Sequence, residues 1–275
     1  MPLLRDCLLT LGLVAISTGC NATPTDEAAA ASAPAATKSE AATPAAEARE
    51  APERTAISVE EETDDYTFHF HAPVEAERLP ALAEWLAYQR DESRTAVRAQ
   101  AQEERKRAND IGYPFRPHYL SIVWSRAADL PGWLSLSALI ETYSGGAHPN
   151  HEFSSMLWDK REKRERAVEE LFVSREALGD AIRRPFCREL ARQRLEKRGQ
   201  VLEPTNEDDP FADCVDPLES SVVLTGGDAG FDGMRVLIAP YIAGPYAEGS
   251  YEIDLEITPA VRAALKPEYR SAFAS

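Results

Sequence analysis

The chain has 275 residues, a formal net charge of −16 and 44% hydrophobic residues, so it holds enough apolar material for a sizeable core. That acidity excludes the basic face of a nucleic-acid binder and a domain held by charge on anionic lipid. Half of it lies between Asn21 and Asp65, with eleven acids against three bases, which suits solubility and leaves a basic protein partner admissible.

The N-terminus reads as an export signal. Arg5 gives a short basic start, Cys7 to Ile16 is an apolar run too short to span a bilayer, and Ser17-Thr18-Gly19 precedes Cys20. This segment resembles the lipobox of bacterial lipoproteins, which implies a signal over residues 1–19 and a diacylglycerol on Cys20. Ser17 stands where leucine is usual, so an ordinary secretory signal and a retained transmembrane anchor stay open as alternatives. Residues 20–64, mostly Ala, Pro, Thr, Ser and Glu, lack the apolar side chains that would offset ordering, and read as a tether. As a flexible coil it reaches about 35 Å. Asn21 after the cysteine resembles the outer-membrane sorting pattern, which gives a periplasm-facing lipid anchor, with a secreted or soluble periplasmic protein as the alternative.

The folded part is expected over residues 65–275, either whole or as sub-lobes 65–160 and 161–275. Tyr66 to His71 alternates as a strand with Tyr66, Phe68 and Phe70 on one face. Glu75 to Asn109 reads as one long helix with Leu79, Leu82 and Leu86 inward and the charged stretch Gln100 to Arg107 projecting into solvent. Tyr119 to Arg126 and Trp133 to Ser144 read as strands around the turn Asp129-Leu130-Pro131-Gly132, the second pointing Leu134, Leu136, Ala138 and Ile140 inward. A glycine loop leads to a returning strand from His151 to Trp158, and Lys160 to Arg166 reads as a solvated charge run.

Ser174 is expected to cap a helix that Pro185 kinks or divides before Gly199. Ser220 to Leu224, Met234 to Tyr241 and Tyr251 to Ile257 read as further strands, and Thr258-Pro259 opens a short final helix. The fold class is therefore α+β with an antiparallel sheet. With Cys7 removed and Cys20 acylated, Cys187 and Cys214 are left to form one disulfide in an oxidising compartment, closing a polar loop that includes residues 203–210.

Two loop motifs stand out. Tyr143-Ser144-Gly145-Gly146-Ala147-His148-Pro149-Asn150 is followed about a hundred residues on by Pro240-Tyr241 and Gly244-Pro245-Tyr246-Ala247-Glu248-Gly249. In order and spacing they resemble a family of exported domains of unknown function. Its members include the extracellular part of lysozyme-sensing anti-sigma factors and the N-terminal module of peptidoglycan deacetylases. The resemblance runs from Tyr66 to the end and implies an α+β envelope domain that binds a cell-wall component or a basic lysozyme-like protein. It does not carry over transmembrane signalling or deacetylation, whose segments do not match here.

Loops on a rigid sheet are where binding residues gather, and tyrosine gives a large contact area at small entropic cost. Tyr143, Gly145, Gly146, His148, Asn150, Tyr246 and Glu248 are the ligand-binding candidates. The bland alternatives are that Tyr246 tucks into the core and that His148 only fixes its own turn. No catalytic residue and no cofactor is assigned. The remaining enzymatic reading, an envelope hydrolase or metal-dependent enzyme, would draw on His69, His71, His148 and His151, since His69-x-His71 shares a strand face and His148-x-x-His151 could meet across a hairpin.

Overall fold

The computed structural model describes residues 57–199 and 211–274, all within one compact unit, Ala56–Ser275. The expected signal, Cys20, most of the tether and the polar loop 203–210 lie outside the described residues. The chain runs β1 (Val59–Glu62), β2 (Tyr66–His71), α1 (Val74–Glu77), α2 (Pro80–Ile111), β3 (His118–Asp129), β4 (Trp133–Tyr143), β5 (Asn150–Asp159), β6 (Arg164–Arg166), α3 (Arg175–Arg198), β7 (Ser221–Gly227), β8 (Gly230–Ile238), β9 (Tyr251–Glu256) and α4 (Pro259–Ala264). The class is α+β. Strands β1 to β6 form one sheet in sequential order and β7-β8-β9 a second.

The first sheet is antiparallel except where β2 meets β3, which run parallel with Tyr66 opposite His118. The long helix between them explains the exception, because a strand that returns through a helical crossover re-enters in the same direction. On the inward face Phe68, Phe70, Leu134, Leu136, Ala138 and Trp158 are buried with Leu82 and Leu86 of α2, as the alternation of β4 predicts. The second sheet packs Leu224, Val236 and Ile253 against Leu178, Ile182, Phe186 and Leu190 of α3. Strand β7 also lies against β3, β4 and β5, and Ser221 Oγ donates to Phe153 O at 2.9 Å.

Several expectations need correction. Ordered structure starts before Asp65: Val59–Glu62 pairs with β2, and Ile57 is buried. A strand with one apolar side chain and three glutamates has no alternation to read, yet its charges suit a sheet edge. The helix expected from Glu75 to Asn109 is two helices. Leu79, placed before Pro80, is extended at φ −102° and ψ 98°, which restarts the helix at its proline. Gly112, at φ 85°, closes it three residues beyond Asn109. Its charged second half does not simply project, because Ala101 and Ala108 are buried and Arg105 donates to Asp64 O.

The charge run after Lys160 contains β6, whose Arg166 is buried. It donates to Asp159 Oδ2 at 2.9 Å and pairs with Glu162 at 2.7 Å and Glu170 at 3.2 Å. Pro185 does not divide α3, which continues from a Ser174 cap that accepts from Ala177 N to Gly199 in the left-handed region. The Cys187–Cys214 disulfide is present, with Cα atoms 5.5 Å apart. Thr258 accepts from Val261 N at the start of α4. Among the described residues no helix is long and apolar enough to cross a membrane.

Candidate functional site

The two loop motifs meet. The β4–β5 turn brings His148 over Tyr246, with ring centroids 3.7 Å apart and planes inclined by 21°. Tyr246 Oη donates to Pro149 O at 2.9 Å, so the second loop is bonded to the backbone of the first. His148 Nδ1 lies 2.9 Å from the same carbonyl, which can only accept. In the neutral ring the proton therefore sits on Nδ1, leaving Nε2 to accept from Tyr241 Oη at 3.2 Å. Both nitrogens are committed, one to the Pro149 carbonyl and the other to the Tyr241 hydroxyl.

Tyr241 completes the cluster 5.7 Å from Tyr246 and 6.3 Å from His148, at 33° and 32° to them. It is 54% exposed, and Ile242 beside it is also exposed. Its φ of 69° lies in the left-handed region, which disfavours a bulky side chain. Such strain persists only where surrounding contacts over-determine it. Here Tyr241 N donates to Gly244 O at 3.0 Å and the hydroxyl is held by His148. The sequence pattern places Tyr241 at the end of a strand, whereas β8 stops at Ile238. Its one signal was the Pro240-Tyr241 pair inside the motif.

Behind the rings, Glu248 is a clasp. It accepts from Arg198 Nε at 2.7 Å on one oxygen and from Arg198 Nη2 at 3.0 Å and Tyr251 Oη on the other. Burial pushes its carboxyl up, but the Arg198 and Tyr251 bonds outweigh that and hold it below the usual range. Tyr251 is pushed up to about 12 by burial and by the same carboxylate. A Cβ on Gly244 would run into the Glu248 carboxylate, so glycine is needed where the loop closes over it. Glu248 thus braces the loop from within, and its oxygens are occupied.

The other candidates are dispersed. Tyr143 Oη accepts from Arg116 at 3.1 Å. Gly145, Gly146 and Asn150 are exposed around the turn, with Gly145 at φ 94°. His151 meets Tyr246 edge-on at 6.3 Å, and its Nδ1 lies 3.7 Å from Glu141 Oε1. A cleft of about 270 Å³ opens between His151, Pro240 and Tyr246 and residues 247–250.

The histidines do not converge. His69 shares a sheet row with Ser121, Glu141 and His151, which puts His69 and His151 three strands apart, or about 14 Å. His69 packs edge-on against Tyr119, and His71 Nδ1 is 3.3 Å from Ser58 Oγ. His148 and His151 each pack against Tyr246, the first stacked and the second edge-on. His118 is buried against Phe115, and burial lowers its pKa. Among the described residues no three His, Cys, Asp or Glu side chains are grouped to hold a metal ion.

Residues 58–151 match the family model described as Deacetylase PdaC, a span from the edge strand to the first residues of β5. Two crystal structures are similar in fold over 79% of this chain and 94% of theirs, both at a TM-score of 0.46. One is a DUF3298 family protein from Pseudomonas aeruginosa PAO1 at 14% identity, the other a DUF3298 member from Bacteroides fragilis NCTC 9343 at 17%. No curated protein matches.

Proposed function

We propose that this chain is a lipid-anchored envelope protein whose folded domain binds cell-wall glycan without catalysis, using Tyr241, Tyr246 and His148 as a stacking platform. The observation that carries the reading is Tyr241: an exposed ring, held on a disfavoured backbone conformation, beside two further rings to which it is inclined by 32° and 33°. Sugar rings present apolar faces that stack on such surfaces, while hydroxyls at their edges bond to polar groups such as those an adjoining cleft supplies. The full commitment of both His148 nitrogens favours a structural ring over a general base.

Calorimetric titration with soluble peptidoglycan fragments tests this. Saturable heat is expected, weakened at least tenfold by Tyr241→Ala and by Tyr246→Ala. Equal binding by both variants, or no heat at all, would overturn it. The anchor has its own test, since mass spectrometry of membrane-extracted protein should find diacylglycerol on Cys20.

A second reading, a basic lysozyme-like protein as the ligand, is favoured by β9. This edge strand exposes Glu252, Asp254 and Glu256 on alternate positions, with Arg235 as the pairing cation on β8. Heat from lysozyme that disappears in moderate salt, with glycan fragments silent, would select it.

A further inference from the structure

A second cleft lies between the edge strand and the long helix. It measures about 490 Å³ and is lined by Glu61 and Tyr66 from β1 and β2 and by Arg94, Thr95, Arg98 and Gln102 from α2. Its charges are arranged in two halves. On the helix, Arg94 and Arg98 stand one turn apart, a like-charge pair that costs stability unless an anion joins it. Arg94 pairs with Asp91 at 3.5 Å but shares that carboxylate with Arg90, from which Asp91 takes two hydrogen bonds at 2.9 and 3.1 Å. Among the described residues no carboxylate pairs with Arg98, which is exposed in a chain of net charge −16. On the strand side, Glu61 accepts a 2.6 Å bond from Tyr66 Oη on one oxygen and turns toward the cleft rather than pairing with either arginine.

We propose that this cleft binds a small zwitterion, a free amino acid or short peptide, with its carboxylate between Arg94 and Arg98 and its ammonium on Glu61. Guanidinium forks match a carboxylate in geometry and charge. The free oxygen of Glu61 supplies an acceptor for an ammonium, and the Thr95 hydroxyl and Gln102 amide serve a peptide bond between the two ends. The volume is that of a small-molecule site, and an extended dipeptide spans about 7 Å. Tyr66, itself buried, fixes Glu61 in place so that the acceptor is ready before the ligand arrives.

This site is independent of the aromatic cluster, and the full-length protein tests it. Titrated with the dipeptide alanylalanine, it should saturate at one molecule per chain. Arg98→Gln, an exposed change expected to leave the melting temperature alone, should weaken binding at least tenfold. Glu61→Gln keeps an acceptor for Tyr66 and should weaken the dipeptide about as much as N-acetylation of the ligand does. Tyr241→Asn should leave it unchanged. Absence of saturation, undiminished binding to Arg98→Gln, or inorganic phosphate binding as tightly as the dipeptide would each overturn the proposal.

Discussion

Tyr241 holds an exposed ring on a backbone conformation that disfavours it, and a substitution there separates fold from function. Asparagine tolerates the left-handed region, so Tyr241→Asn relieves about 1 kcal/mol of strain while losing one exposed hydrogen bond worth a similar amount. Urea unfolding should place the variant within about 0.5 kcal/mol of the parent, with glycan binding lost. Glu248 behaves oppositely. Its side chain is 12% exposed and its partner Arg198 is 9% exposed, so Glu248→Gln leaves a nearly buried guanidinium short of its counter-charge, at a cost of about 3 kcal/mol. Because folding holds this carboxyl below its ordinary value of 4.5, the stabilisation is present above that pH and disappears as pH falls through the folded value. Acid titrations of stability should show a shallower acid limb in Glu248→Gln than in the parent. Tyr251 has the opposite sign: its raised value keeps the phenol neutral, so its contribution is lost as pH rises from 10 toward about 12.

At the scale of elements, the disulfide links α3 to the segment leading into β7, and the helix in turn braces the aromatic loop through Arg198. Closing a loop whose ends are 27 positions apart removes unfolded-state entropy worth roughly 3 to 4 kcal/mol. Replacing both Cys187 and Cys214 by serine should lower the melting temperature by about 10 °C in a domain of this size. A fall of under 3 °C would mean that packing, not the bridge, orders that region. The pairing could be read from the sequence because elimination left only two thiols, and α3 because Ser174 and Gly199 mark its ends chemically. Strand β6 could not. Its Arg-Glu-Arg looks solvated until Asp159, seven positions earlier in the chain, is placed against Arg166 by the β5–β6 pairing. The site divides in the same way. His148 and Tyr246 are visible as loop residues between glycines, whereas the left-handed turn at Tyr241 depends on Gly244 and on His148 of the β4–β5 turn, and the inward role of Glu248 on Arg198 of α3 and Tyr251 of β9, contacts that no local pattern encodes.

Across the whole molecule, the first sheet serves two cores. Its inward face closes over α2, while Ala128 near the end of β3, Leu130 in the turn that follows and Leu157 of β5 join the core that α3 and the second sheet complete. The expected division into sub-lobes near residue 160 therefore cuts through shared packing, since β6 and part of the second core lie across that boundary. The N-terminal limit matters more, because β1 both covers the edge of β2 and carries one wall of the second cleft. Ile57 is 4% exposed, and Ser58 Oγ accepts from Ala72 N at 3.1 Å. Losing this segment gives up about 2 kcal/mol for the isoleucine alone and leaves the backbone of β2 open to other chains. A chain beginning at Ile57 should keep the melting temperature of the full protein to within about 2 °C. One beginning at Asp65 should melt at least 10 °C lower and associate on concentration, as light scattering would show. If the shorter chain matched the longer in both respects, β1 would be an appendage, and Glu61 could not be the preset acceptor that the second cleft requires.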